Sequence, residues 1–119
     1  MKTFLLTLST VALAAVSALA ADVSGTWKVD GDVVGNPVKL SCALKQQGAA
    51  LSGTVTFEDG KNVAVTGSVK ENAVTFEFDT EHEGTSYHLV FTGTLGQDGG
   101  MKGTIAVAGV EGNFTAAKQ

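Results

Sequence analysis

Apolar residues alternate with polar ones along most of this chain, and a period of two is typical of β-strands. The pattern is clearest in Leu89–Val107, where a turn rich in glycine, Gly96–Gly100, separates two alternating segments. Folding the segments about that turn places Phe91 opposite Ile105. The apolar sets then share one surface, as a half-buried sheet requires, so this stretch predicts a β-hairpin.

The same alternation continues through the chain from Val23, and no segment has a helical period. It predicts eight strands: Val23–Asp30, Val38–Gln46, Leu51–Glu58, Asn62–Val69, Val74–Thr80, the two strands of the Leu89–Val107 hairpin, and Val110–Ala117. A loop containing Pro37 would connect the first two strands. A polar tip, Glu81–Gly84, would follow the fifth.

Every predicted hairpin places apolar residues and glycine opposite one another. The expected pairs are Trp27 with Leu40, Cys42 with Val55, Val55 with Val65, Phe76 with Leu89, Phe78 with Tyr87, and Ile105 with Gly112. The opposite face is rich in threonine and serine and suits solvent. Because no helix is predicted to cover the apolar face, the sheet must close or fold over so that this face is buried against itself. The fold class expected is therefore all-β, an eight-stranded antiparallel up-and-down barrel, with a β-sandwich as the alternative.

Glycine recurs in mid-strand on the predicted inner face, at Gly25, Gly53, Gly67, Gly93, Gly103 and Gly112. The expected registers place Gly53 opposite Gly67, and Phe76 and Phe114 over Gly67 and Gly103. Glycine kinks covered by aromatic rings are a means of curling strands into small barrels, so curvature is the first interpretation. Room for a ligand is the second.

Two short motifs resemble those of the lipocalin and avidin superfamily, the calycins. Gly25-Thr26-Trp27 is similar to the G-x-W signature of the first barrel strand, and Leu51–Thr54 resembles the L-T-G-T of avidins. The resemblance implies a meander barrel with a ligand cup at one end. Avidins follow L-T-G-T with a biotin-binding Tyr, and Val55 stands here, so biotin is not expected. A G-V-x-G-x-F pattern also resembles uncharacterised small secreted bacterial barrels.

The first twenty residues have the composition of a secretory signal peptide. Lys2 precedes an apolar run, Phe4–Val16, and Ala18-Leu19-Ala20 offers a small-x-small cleavage site. Cleavage after Ala20 would leave residues 21–119 as a single β-barrel domain, secreted or periplasmic.

The predicted mature chain is acidic, with seven lysines, no arginine and 12 carboxylates, a net charge of −5 after removal of Lys2. Without arginine or a basic run, nucleic acid and anionic membranes are excluded as expected partners. An outer-membrane barrel would use the same alternation inside out, but strands of 7–9 residues are short for spanning a bilayer, which takes about 9–11.

No catalytic or cofactor motif is present, so we expect no enzyme, no cofactor and no metal. Cys42 reads as a small buried hydrophobe, because no positive group stands beside it in the sequence. Asp79–Glu83 reads as a solvated loop tip, and His88 as a surface partner of Glu77.

The functional expectation is a soluble, exported barrel that binds a small hydrophobic molecule inside. The side chains expected to hold it are Trp27, Phe76, Phe78, Tyr87, Leu89 and Phe91. The alternative is a structural or protein-interaction module with a filled core and no small-molecule ligand.

Overall fold

The computed structural model describes residues 21–119, so the predicted signal peptide lies outside the described residues. The chain forms eight strands: β1 (Gly25–Val33), β2 (Asn36–Gln47), β3 (Ala50–Phe57), β4 (Asn62–Lys70), β5 (Ala73–His82), β6 (Thr85–Leu95), β7 (Met101–Val107) and β8 (Val110–Lys118). Each pairs antiparallel with the next, and β1 pairs with β8 to close the sheet. The predicted up-and-down barrel is confirmed, and the sandwich alternative is wrong.

Burial along the strands follows the predicted period of two. Val55 and Ile105 are fully buried, while their neighbours in the same strands are exposed. Among residues 21–119 no polar or charged side chain is buried. The inside-out alternative requires apolar side chains on the outer surface, and the structure places them inside. The same residues include no helix with the length and hydropathy needed to cross a bilayer.

The barrel has two different ends. At the closed end lie the connections Gly48-Ala49, Glu71-Asn72 and Gly96–Gly100, together with the segment Ala21–Ser24 that precedes β1. At the open end lie the connections Val34-Gly35, Glu58–Lys61, Glu83-Gly84 and Ala108-Gly109. The meander places alternate turns at alternate ends, so four connections surround the opening.

The segment before β1 plugs the closed end. Val23 is fully buried, and its carbonyl oxygen accepts a hydrogen bond of 3.0 Å from Trp27 Nε1. The Val23 N–H donates to Gln46 Oε1 at 2.8 Å, and the Gln46 N–H donates to Ser24 Oγ at 3.1 Å. Val23 is therefore an inner residue, as predicted, although β1 begins two residues later at Gly25.

Several predicted registers are confirmed, including Cys42 with Val55 and Ile105 with Gly112. Others are wrong by two residues: Trp27 pairs with Cys42, Val55 with Val63, Phe76 with Phe91, and Phe78 with Leu89. Gly53 likewise lies opposite Val65 instead of Gly67. The predicted Pro37 loop is also wrong, because Pro37 lies in β2 and only Val34-Gly35 connects β1 to β2. A shift of two keeps every side chain on its predicted face.

The turn at Val34-Gly35 shows how tightly the first hairpin closes. Val34 has φ 50° and Gly35 φ 84°, the positive values that a type I′ turn requires at both central positions. The Gly35 N–H donates to Asp32 Oδ1 at 2.9 Å, which stabilises this turn. A β-branched residue is strained at such a φ, so Val34 does not mark the turn in the sequence.

The mid-strand glycines serve curvature and close strand approach. A Cβ at Gly53, Gly67, Gly103 or Gly112 would meet the backbone carbonyl oxygen of Ala43, Thr75, Thr92 or Asp32, respectively, on the neighbouring strand. At Gly93 it would lie 2.9 Å from Phe114 Cζ, so this ring covers bare backbone. The second interpretation, room for a ligand beside the glycines, is wrong at these positions.

Replacing Gly103 with alanine is expected to destabilise the barrel by at least about 2 kcal/mol, because the new methyl group must displace backbone of β6. Urea unfolding followed by Trp27 fluorescence measures the change. Gly100→Ala is the matched control, since its Cβ would meet nothing closer than 3.4 Å. Equal stability of the two variants would contradict the close-approach explanation.

Candidate ligand-binding site

The middle of the barrel is filled by an aromatic layer. The rings of Phe76 and Phe91 stack with centroids 4.8 Å apart and an interplanar angle of 9°. Phe114 meets Phe91 edge-on at 5.2 Å, and the Phe78 ring lies 5.7 Å from that of Phe91. Each of these rings is at most 3% exposed. This layer leaves no room for a guest at mid-depth.

A cavity of about 610 Å³ lies above the aromatic layer, at the open end. We call it the mouth. Its apolar lining comes from Val33, Pro37, Val38, Phe57, Tyr87, Leu89, Val107, Ala108 and Val110. Two further grooves, of about 630 and 460 Å³, both include the charged side chains of Lys28 and Asp30, and neither contains an aromatic residue other than Phe57. The mouth is thus the candidate site for an apolar molecule, and its volume lies in the usual range for ligand pockets.

The structure distributes the six predicted ligand-binding residues over three depths. Tyr87 and Leu89 line the mouth. Phe78 belongs to the packed layer but pairs directly with Leu89, and its ring lies 5.8 Å from that of Phe57, which lines the mouth. Phe76 and Phe91 belong to the packed layer. Trp27 lies at the closed end, where Lys118 Nζ is 5.9 Å from its ring centroid.

The six ligand-binding residues predicted from the sequence did not include Val38, Phe57, Val107 and Val110, which line the mouth. The first three are partly buried against the core, and Val110 is 43% exposed. All four lie at strand ends beside the open-end turns. Apolar residues that continue the inward face up to a turn are the signal that could have identified them.

Two lysine side chains that line the mouth make short polar contacts with neighbouring residues. Lys39 Nζ lies 2.8 Å from Asp30 Oδ1. Lys61 Nζ donates to the Glu81 carbonyl oxygen at 3.0 Å and so connects the Glu58–Lys61 loop to the end of β5. The register between β4 and β5 extends only from Lys70 to Thr66 on the β4 side, so this lysine bridges the strands where they no longer pair.

His88 lies on the outer face of β6 between two carboxylates of β5. Its Nδ1 is 2.7 Å from Asp79 Oδ1 and its Nε2 is 2.9 Å from Glu77 Oε1. The predicted contact with Glu77 is present, although the residue directly opposite is Asp79. Hydrogen bonds donated by the ring, first to Asp79 and then to Glu77, raise the pKa of His88 above its usual range. Within residues 21–119 no group of His, Cys, Asp and Glu has a metal-binding arrangement.

Cys42 is fully buried, as predicted, on the inner face of β2. Burial raises the pKa of its thiol to about 12. The thiolate that nucleophilic and disulfide chemistry requires is therefore suppressed in the folded barrel.

Ellman's reagent should leave Cys42 unmodified in native protein at mildly alkaline pH, and should react with it fully in guanidinium. Ser52→Cys is the control, because residue 52 is exposed on the outer face of β3 and its thiol should react at once. Fast reaction of the wild-type thiol would show that the inward register of β2 is incorrect.

The His88 contacts should stabilise the barrel below about pH 6.5, the ordinary imidazole pKa, and this stabilisation should disappear as the pH rises through the raised pKa. An NMR titration of the His88 ring measures that pKa. Asp79→Asn should lower it more than Glu77→Gln, because Asp79 is the larger cause. An equal or reversed effect would contradict the assigned geometry.

Comparison with known proteins shows likeness of fold alone. No protein-family model matches the chain, and no curated protein matches its sequence. Among solved structures it is similar to a redesigned β-barrel, mFAP1, solved bound to DFHBI, with TM-score 0.54 and 11% identity over 81% of this chain and 94% of that one. The structural similarity supports the eight-stranded barrel, and the calycin resemblance of the short motifs remains a resemblance.

Proposed function

We propose that this protein is an exported barrel that binds a small apolar molecule in the mouth and does not catalyse a reaction. The observation that carries the proposal is the contrast between a filled interior and one open end with an apolar lining. A guest there would bury surface against Phe57, Tyr87 and Leu89. Burial of apolar surface is the driving force expected for such a guest.

The site that we propose lies closer to the open end than the one that the sequence predicted. A guest contacting Trp27 would have to displace the Phe76–Phe91 layer, which is packed at van der Waals distances. A guest contacting Tyr87 displaces only solvent. We therefore propose shallow binding above the aromatic layer.

Export is supported by the pattern of the first twenty residues, from Lys2 to the small-x-small site at Ala20. It agrees with a single cysteine whose side chain is buried, because no exposed thiol would then form disulfides in an oxidising compartment. Secretion or periplasmic localisation is accordingly part of the proposal.

A second candidate is a structural or protein-interaction module. The observation that favours it is the same aromatic layer, which shows that the core is complete without a guest. Such a module would act through its threonine-rich outer face or its loops. The two candidates differ in what the mouth holds when the protein is isolated.

Native mass spectrometry of the protein purified from its own host, without denaturant, tests the proposal. A reproducible adduct that leaves on unfolding is expected. Tyr87→Ser combined with Val110→Ser should weaken its binding roughly tenfold, because both residues contribute to the mouth and neither is fully buried. Leu95→Ser is the control, a partly buried position at the opposite end.

A bare monomer in repeated preparations would count against a bound guest and in favour of the interaction module. An adduct of unchanged occupancy in the mouth variant would place the guest elsewhere on the barrel.

A further inference from the structure

The rim of the mouth has two chemically different halves. The β7–β8 turn lies beside the β1–β2 turn because β8 pairs with β1 to close the barrel. The β3–β4 loop lies beside the β5–β6 turn because β4 is the neighbour of β5. The first pair carries Val34 and Val110, which are 71% and 43% exposed and are the large apolar side chains exposed in residues 21–119; of these two, Val110 lines the mouth. We call this the apolar half. The β3–β4 and β5–β6 side is called the acidic half.

The acidic half has an excess of negative charge. Glu58, Asp59 and Glu81 line the mouth there together with Lys61 and His82, and the His82 imidazole lies 3.8 Å from a fourth carboxylate, that of Glu83. Lys39 also lines the mouth, but Asp30 at 2.8 Å already neutralises it. Lys61 donates its hydrogen bond to the backbone carbonyl oxygen of Glu81 and not to a carboxylate. An anionic group entering this side would meet more repulsion than attraction.

Aromatic rings stand on the same side. Phe57 precedes Glu58 directly in sequence, and Tyr87 pairs with Thr80, the residue before Glu81. Both rings line the mouth. Aromatic faces together with nearby carboxylates attract a positively charged nitrogen, and they attract a quaternary one without requiring hydrogen bonds.

We propose that the molecule held in the mouth is a cationic amphiphile, with its apolar body against the apolar half and its charged nitrogen in the acidic half. This inference rests on the proposed function and specifies the class of its ligand. Fatty acids and other anionic amphiphiles fit the apolar lining but meet the wrong charge at the rim. Complementary charge on an exposed rim gives selectivity more than it gives affinity.

The test compares three probes that share a twelve-carbon chain: dodecyltrimethylammonium, monododecanoyl glycerol and dodecanoate, each below its micelle concentration. Amide NMR shifts locate the binding, and calorimetry measures it. At low salt the cation should bind about tenfold more tightly than dodecanoate. In about 0.3 M salt the difference should shrink, because solvent-exposed charges are screened.

A double variant, Glu58→Gln with Glu81→Gln, should reduce the preference for the cation over dodecanoate to about twofold and should weaken binding of the cation more than binding of the neutral probe. Glu71→Gln is the matched control, because it removes a carboxylate from the closed end.

The outcomes separate the two proposals. Mouth shifts with dodecanoate binding as tightly as the cation would overturn the charge assignment while the binding site stands. No mouth shifts with any of the three probes would overturn both. A preference for the cation that survives in the double variant would also overturn the assigned role of the acidic half.

Discussion

The barrel depends on the closeness with which neighbouring strands approach at its glycines. At Gly53, Gly67, Gly103 and Gly112 the partner strand occupies the space that any side chain would need. Four such contacts, distributed over β3, β4, β7 and β8, allow a sheet of only eight strands to bend sharply enough to close. Aromatic rings cover part of the exposed backbone, as Phe114 does at Gly93. The core side chains can therefore pack only because the glycines let the backbone curve enough for the sheet to close.

This tight closure determines where a ligand can go. A narrow barrel brings Phe76, Phe91 and Phe114 into mutual contact, and these rings complete the core. The closed end is sealed by Val23 and the Trp27 indole. Toward the open end the strands extend beyond the packed core, and Tyr87 and Phe57 are only partly buried there. The mouth is therefore the space at the open end, where the strands extend further along the barrel axis than the packed core does.

The side that each residue faces could be predicted from the sequence, because alternation is a local property of a strand. Cys42 and Ile105 lie inside as expected. The registers of β1 with β2, of β3 with β4 and of β5 with β6 were wrong by two residues, because that shift preserves the pattern by which they were assigned. Only the turn fixes such a register, and strained Val34 carries no turn signal.

Depth along the barrel axis was the least predictable property of the candidate site. Trp27 and Tyr87 both read as inward aromatic residues, yet one lies at the closed end and the other in the mouth. A periodic pattern contains no information on how far along the axis a residue lies. That information requires the strand order and the positions of all four open-end turns. The charge asymmetry of the rim likewise emerges only when β8 is placed beside β1.

The seam between β1 and β8 has a consequence for how the chain reaches this state. Every other pairing joins neighbours in sequence, whereas Trp27 pairs with Lys118 and Asp32 with Asn113 across almost the whole domain. Local hairpins form early because their loops are short, and the seam carries the main entropic cost of closure. Synthesis delivers β8 last, so the outer edge of β1 stays unpaired until then. In that interval β1 is a template for intermolecular pairing, and the speed of seam closure governs how much of the protein escapes aggregation.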